Sequence, residues 1–201
     1  MLIESLVLSI IVGKIRGGKI KSIGNLKIKG WYLFVIGFLL EYSSIYIEKL
    51  TYGRLSVLIR EYFYYIHIIV YILLIIGLIL NLKNKGILFV FIGSLFNFTA
   101  IILNGGKMPV SLEGLKYSSL LKQMDMLKNG KILTHKISTE AIRVYFLTDI
   151  IPIPNPYPLP KVISVGDIFV ALGVFFIIQK EMLSRKRKDN ILDFTYGTCK
   201  L

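Results

Sequence analysis

The chain has 201 residues, of which 54% are hydrophobic and only 18% charged, and its mean hydropathy is +0.65. Soluble domains carry about a quarter charged residues and scatter their apolar ones; here the apolar residues fall in blocks at Leu33–Leu40, Ile66–Leu80, Ile87–Leu103 and Ile168–Ile178. The net charge of +13 does not mark a nucleic-acid binder, because the cations flank the apolar blocks instead of gathering on one soluble face, and a single cysteine, Cys199, excludes an intrachain disulfide and a cysteine-based metal site.

An apolar block of about 18 residues or more reads as a bilayer span. The first candidate covers about 1–13. It is read as a short span and not as a cleavable signal, since no basic segment precedes it and no small-residue cleavage site follows. A basic segment from Lys14 to Gly30 leads to a second span at about 31–47, opened by the interfacial aromatics Trp31 and Tyr32. A third span, about 62–80, opens with Tyr62, Phe63, Tyr64 and Tyr65. The short basic loop Asn81–Lys85 then turns the chain into a fourth span at about 86–103. A fifth span, about 165–179, ends at Lys180 and the cluster Arg185–Lys188. The expected fold is all-α: one domain over 1–201, a polytopic helical membrane bundle of about five transmembrane helices. Segments 14–30, 81–85 and 180–201 are denser in Lys and Arg than 48–61 and 104–164. The expected orientation is therefore N-terminus outside and C-terminus cytoplasmic in a multi-pass cell-membrane protein.

The outer segment 104–164 has its own pattern. Leu112, Leu115, Leu120, Met124 and Leu127 recur at helical spacing, which predicts an amphipathic interfacial helix over Ser111–Lys128. Ser138–Asp149 is a second helix candidate. Prolines at 152, 154, 156, 158 and 160 then predict an extended polyproline strut of roughly 28 Å.

Several polar residues stand out against this background. Glu41 lies mid-span, where a carboxylate costs about 2.5–3.5 kcal/mol on insertion scales, and it shares a helical face with Gly37, Ser44 and Glu48. It reads either as a proton or ion site or as a hydrogen-bonded packing residue. Gly93, Asn97, Ala100 and Asn104 share a face suited to close helix packing. His67 reads as a hydrogen-bonded core residue or a binding residue; no second His stands at metal-ligand spacing, and neither metal nor cofactor is expected. Asn104-Gly105-Gly106-Lys107 followed by Pro109 reads as a helix C-cap or as a loop lining an outer pocket. Asp149 is placed at a helix C-terminus, where an anion is disfavoured. Asp167 completes a capping box with Ser164. Both aspartates are expected at the outer face, one on each side of the strut.

Gly17-Gly18 after the short first span, Asn104–Val110, Leu147-Thr148-Asp149-Ile150-Ile151-Pro152-Ile153-Pro154 and Val162–Phe175 together resemble domain-of-unknown-function family 5317, a family of bacterial membrane proteins with no assigned activity. More distantly, the order of Asn104, Asp149 and Asp167 is similar to that of lipoprotein signal peptidase, an intramembrane aspartyl protease. That resemblance implies Asp149 and Asp167 as a catalytic dyad and Asn104 as a substrate-positioning amide. The chain departs from the protease at Leu147-Thr148 and Ile150 around the first aspartate and at Ile163-Ser164 before the second.

Three functions follow as expectations. The first is a non-enzymatic accessory that binds a membrane-protein partner in the lipid bilayer. The second is an aspartyl hydrolase using Asp149 and Asp167. The third is a small carrier with Glu41 in its path. Asn104, Lys107, Glu41 and His67 are the expected substrate contacts.

Overall fold

The computed structural model describes residues 1–50, 53–138 and 141–196, with side chains described as far as Ser184; Cys199 and the side chains of Arg185–Lys188 lie outside the described residues. Helix makes up 68% of the structure. In chain order the elements are α1 (Leu2–Ile15), α2 (Trp31–Leu50), α3 (Arg54–Ile79), α4 (Lys85–Leu103), β1 (Met108–Val110), α5 (Leu112–Tyr117), α6 (Leu121–Lys128), β2 (His135–Ile137), β3 (Ile151–Ile153), β4 (Lys161–Ile163) and α7 (Val165–Tyr196). The five long helices fall on the five stretches expected to be spans, although α3 begins eight residues before the expected 62 and α7 continues well past 179. Two of them, α3 and α4, are each long and apolar enough to cross a membrane.

In chain order the long helices run alternately up and down; they pack in the spatial order α2, α3, α4, α7, α1, with α7 and α1 parallel. Contact between them is made by small residues. Gly86 on α4 sits against Gly173 and Ile177 on α7, where an added Cβ would lie 2.9 Å from the Gly173 carbonyl oxygen. One heptad along, Gly93 meets the Gly166 carbonyl and the Val170 amide. Glycines seven apart on both helices thus form an antiparallel seam that lets the two backbones touch. Ser5 of α1 donates to the Ala171 carbonyl on α7, Ser9 is fully buried, and Gln179 donates to the Ser9 carbonyl at 2.6 Å. Large apolar side chains point the other way: Ile15, Trp31, Phe38, Leu55 and Tyr65 are all more than half exposed.

Alternation sorts the connections to two ends. At the basic end, the segment after α1 packs on α7 through Lys19 N–H to Met182 O (3.1 Å) and Arg16 to Gln179 (3.0 Å). Asn81, just beyond α3, closes on the Lys29 backbone (2.8 and 2.7 Å). The opposite end carries the cap formed by 104–164.

The cap corrects three expectations. The helix expected over Ser111–Lys128 is two helices, α5 and α6, broken at Ser118–Leu120 where Ser119 takes φ 57°. Their apolar residues, Leu115 and Leu127 with Val110, make a small core of their own. The helix expected over Ser138–Asp149 is absent from its described part; Val144 takes φ 48° and only a 3-10 turn, Tyr145–Leu147, forms. The proline segment is no strut. β3 and β4 pair antiparallel, Ile151 opposite Ile163 and Ile153 opposite Lys161, so the chain doubles back through a loop with a cis Asn155–Pro156 bond. Proline at 152 and 154 lacks an N–H donor, which an edge strand tolerates. With four short strands the fold is mostly helical, not all-α.

Candidate functional site

Asp149 does not end a helix. Its backbone lies beside β1: Asp149 N–H donates to Pro109 O (3.0 Å) and Ser111 N–H to Asp149 O (2.8 Å). β1 pairs on its other edge with β2 in parallel, Met108 opposite His135. The β1–β2 ribbon and this single bridge to it, built from residues far apart in sequence, therefore set the Asp149 side chain near His135, with His135 Nε2 3.6 Å from Asp149 Oδ2. This is the support that the sequence left unexplained.

The ribbon roofs a cavity of about 240 Å³. Its walls are Glu41 from α2, His67 and Tyr71 from α3, Asn97 from α4 and Asp167 from α7; Thr134, His135 and Asp149 close it from the cap. Asp167 occupies the capping position expected of it: Ser164 N–H donates to Oδ2 (3.1 Å) and Asp167 N–H to Ser164 Oγ (3.0 Å). The ring continues, with Ser164 Oγ donating to Asn97 Oδ1 (2.9 Å) and Asn97 Nδ2 to Asp167 Oδ1 (3.2 Å). Both carboxyl oxygens accept N–H donors at the start of a helix, a setting that suits an anion.

Asp149 is in a different environment. It is buried, and burial first, then the nearby Asp167 charge, push its carboxyl up from 3.8 to about 8. Burial, and then His67, push His135 down from 6.5 to about 4. At neutral pH the Asp149–His135 contact thus joins a protonated acid and a neutral imidazole; it is not an ion pair. Thr134 Oγ1 lies 2.7 Å from His135 Nδ1 and orients the ring.

His67 is almost fully buried, its ring packed at a tilt between Phe63 and Tyr71 at ring-centre distances of 5.4 and 5.3 Å. Its Nδ1 lies 2.8 Å from Gly106 O, an acceptor only, so that nitrogen carries the proton. Nε2 is left facing Glu41 Oε1 at 3.5 Å. Gly105 and Gly106, both with φ near 77°, close α4 in a Schellman turn with Gly106 N–H to Ile101 O (2.9 Å). The glycine loop is therefore both a helix cap and the anchor of a cavity residue.

A second, larger cavity of about 770 Å³ shares Asp149, Asp167 and His135 with the first. Apolar groups make up most of the rest of its lining: Leu2 and Ile3 of α1, Leu120, and Leu159, Pro160, Val162 and Ile163 of the returning hairpin arm. The ion pair between Lys161 and Glu4 belongs to the lining as well. The three titratable residues thus lie where a polar chamber meets an apolar groove.

Of the residues singled out from sequence, Glu41, His67, Asn97, Asp149 and Asp167 meet in the polar cavity. Asn104 does not line it; its side chain exchanges hydrogen bonds with the Arg143 backbone (2.9 and 3.1 Å) and ties α4 to the cap. Lys107 is absent from the lining as well. His135, Tyr71 and Thr134 were missed. For His135 no local signal exists, because its neighbour Asp149 is brought to it by strand pairing. Among the described residues, no group of three or more His, Cys, Asp or Glu could hold a metal ion.

A family of unknown function, DUF5317, matches residues 25–179. An uncharacterised protein from Thermotoga maritima is 30% identical over 175 residues, covering 87% of this chain and 88% of the relative. No solved structure matches. The distant likeness to lipoprotein signal peptidase gains no support from these matches. On this agreement across most of its length, the chain belongs to the family of unknown function DUF5317.

Proposed function

We propose that the chain is a five-span integral membrane protein, N-terminus outside and C-terminus cytoplasmic, whose cap-end cavity is a hydrolytic site worked by Asp149 and Asp167. Support for the spans comes from a bundle with small residues inside and large apolar ones outside, the reverse of a soluble core. Support for the orientation comes from the basic connections collected at one end.

The observation that carries the hydrolytic reading is that Asp149, whose carboxyl burial pushes up, and Asp167, whose carboxyl accepts two N–H donors, line both a polar chamber and a larger, mainly apolar groove. Acid–base chemistry on an amide or ester needs one protonated and one ionised carboxyl. Asp149 would hold its proton at neutral pH and give it to the carbonyl oxygen. Asp167 would take a proton from the attacking water, whose oxygen bonds to the carbonyl carbon. On breakdown of the adduct the bond from carbon to the leaving group breaks, the leaving group takes the Asp167 proton, and an adduct hydroxyl returns its proton to Asp149, which restores both carboxyls. The substrate's apolar chain would lie along Leu120 and Leu159–Ile163.

The test uses purified protein in nanodiscs and an apolar peptide carrying a secondary hydroxyl in place of the scissile carbonyl, which mimics the adduct. It should raise the melting temperature of the wild type and have no effect on Asp149→Asn or Asp167→Asn. Equal shifts in all three proteins would end the hydrolytic reading. They would favour the non-enzymatic, partner-binding account, for which the fully bonded capping position of Asp167 speaks.

A further inference from the structure

A third cavity lies at the other end of the bundle, where α4 begins. It measures about 590 Å³ and is walled by Lys83, Lys85, Lys180, Asn84, Phe89 and Phe176. Three lysines converge there with no carboxylate in the lining. Among the described residues none of the three has an ion-pair partner. The site also faces the N-terminus of the 19-residue helix α4, where backbone amides and the helix dipole favour an anion. Below the charges, Phe89 and Phe176 touch at a ring-centre distance of 5.4 Å, and Phe176 keeps 44% of its surface exposed. The pocket is therefore cationic at its mouth and aromatic along the wall that continues onto the outward apolar face.

We propose that this pocket binds the headgroup of an anionic phospholipid, its phosphodiester held by Lys83, Lys85 and Lys180 and its acyl chains laid over Phe89 and Phe176. A free phosphate would use the lysines and leave the aromatic wall idle, and a zwitterionic lipid would bring a choline cation into a cluster of like charge. The geometry fits a basic, interhelical headgroup site on the inner leaflet, and it is independent of the chemistry at the cap end.

The experiment compares full-length protein in nanodiscs of phosphatidylcholine alone and with one-third phosphatidylglycerol. Three forms are measured: wild type, Lys83→Gln/Lys85→Gln/Lys180→Gln, and Lys21→Gln/Lys27→Gln/Lys29→Gln, which removes the same charge from the same end outside the pocket. Phosphatidylglycerol should raise the melting temperature of the wild type and of the second triple variant by on the order of 3 °C or more and leave the pocket variant unchanged. A loss of equal size in both triple variants would overturn the site in favour of diffuse surface attraction. A wild-type shift reproduced in phosphatidylcholine by millimolar inorganic phosphate alone would overturn the lipid as occupant. A pocket variant that fails to fold is replaced by Phe176→Ala, which should cut the lipid shift while keeping every charge; an undiminished shift would overturn the site.

Discussion

The raised carboxyl of Asp149 makes a pH dependence that can be worked from the structure. Its folded value is about 8 against 3.8, so between those limits the folded chain holds a proton that the unfolded chain has lost. Stability from this group is complete below 3.8 and drains away as pH rises through 8. His135 runs in the opposite sense: its folded value is about 4 against 6.5, so it costs stability as pH falls below 6.5. In the overlap the two slopes oppose each other. Between pH 6.5 and 8 His135 is largely neutral in both states; the N-terminal amine titrates there too, so the Asp149 share is the difference between the wild type and Asp149→Asn. One and a half pH units at about 1.36 kcal/mol each come to about 2 kcal/mol, or roughly 4–8 °C in melting temperature for a chain of this size. Relative to Asp149→Asn, the wild type in nanodiscs should therefore lose that much on going from pH 6.5 to 8. Differential scanning fluorimetry at a fixed scan rate reads both curves. Parallel curves through this window would refute the placement of a protonated carboxyl in the cavity.

Other perturbations test the scaffold. Gly93→Ala would drive a methyl into the Gly166 carbonyl and the Val170 amide, and should cost about 1–3 kcal/mol, seen as a drop in melting temperature, whereas Gly24→Ala, where the added carbon meets nothing, should be silent. Ser164→Ala removes one half of the α7 capping box and the hydroxyl bonded to Asn97; about 1 kcal/mol of stability should go with it. Asn104→Ala leaves the Arg143 backbone without its two partners and should speed proteolysis around 141–144, with the bundle helices as protected as before in hydrogen exchange. Loss of bundle protection would show that Asn104 supports α4 itself.

The long helices were legible because each is announced by a local run of apolar residues, and Asp167 because a capping box is written within four positions. Glu41, His67 and Asn97 were visible as polar residues in apolar surroundings. The cap was not legible in the same way. Met108–Val110, His135–Ile137 and Asp149 are joined by strand pairing across up to forty residues, which no window reveals. Ser138–Asp149 imitates a helix through Ile142, Tyr145 and Phe146, yet Val144 and the turn before Asp149 break it. The alternating prolines do favour extended backbone, as read. What they do not encode is the reversal at 154–160, which pairs the two extended arms instead of letting them run on. His135 carries no local mark of its role, because the Asp149 carboxyl it faces lies fourteen residues further along the chain.

The glycine seam links places that the chemistry keeps apart. Gly86 opposes Gly173 and Gly93 opposes Gly166 in one register, and the same register places Asn97 against Gly166 and within reach of Asp167. From Gly86 to Asn97 is a rigid arm of about 16 Å. A methyl group wedged under its far end must tilt the arm, and the tilt is largest where Asn97 meets the carboxylate. Substitutions at the basic end can thus disarm the cap end without touching it, and a loss-of-function map of this protein would trace the lever as well as the site it holds.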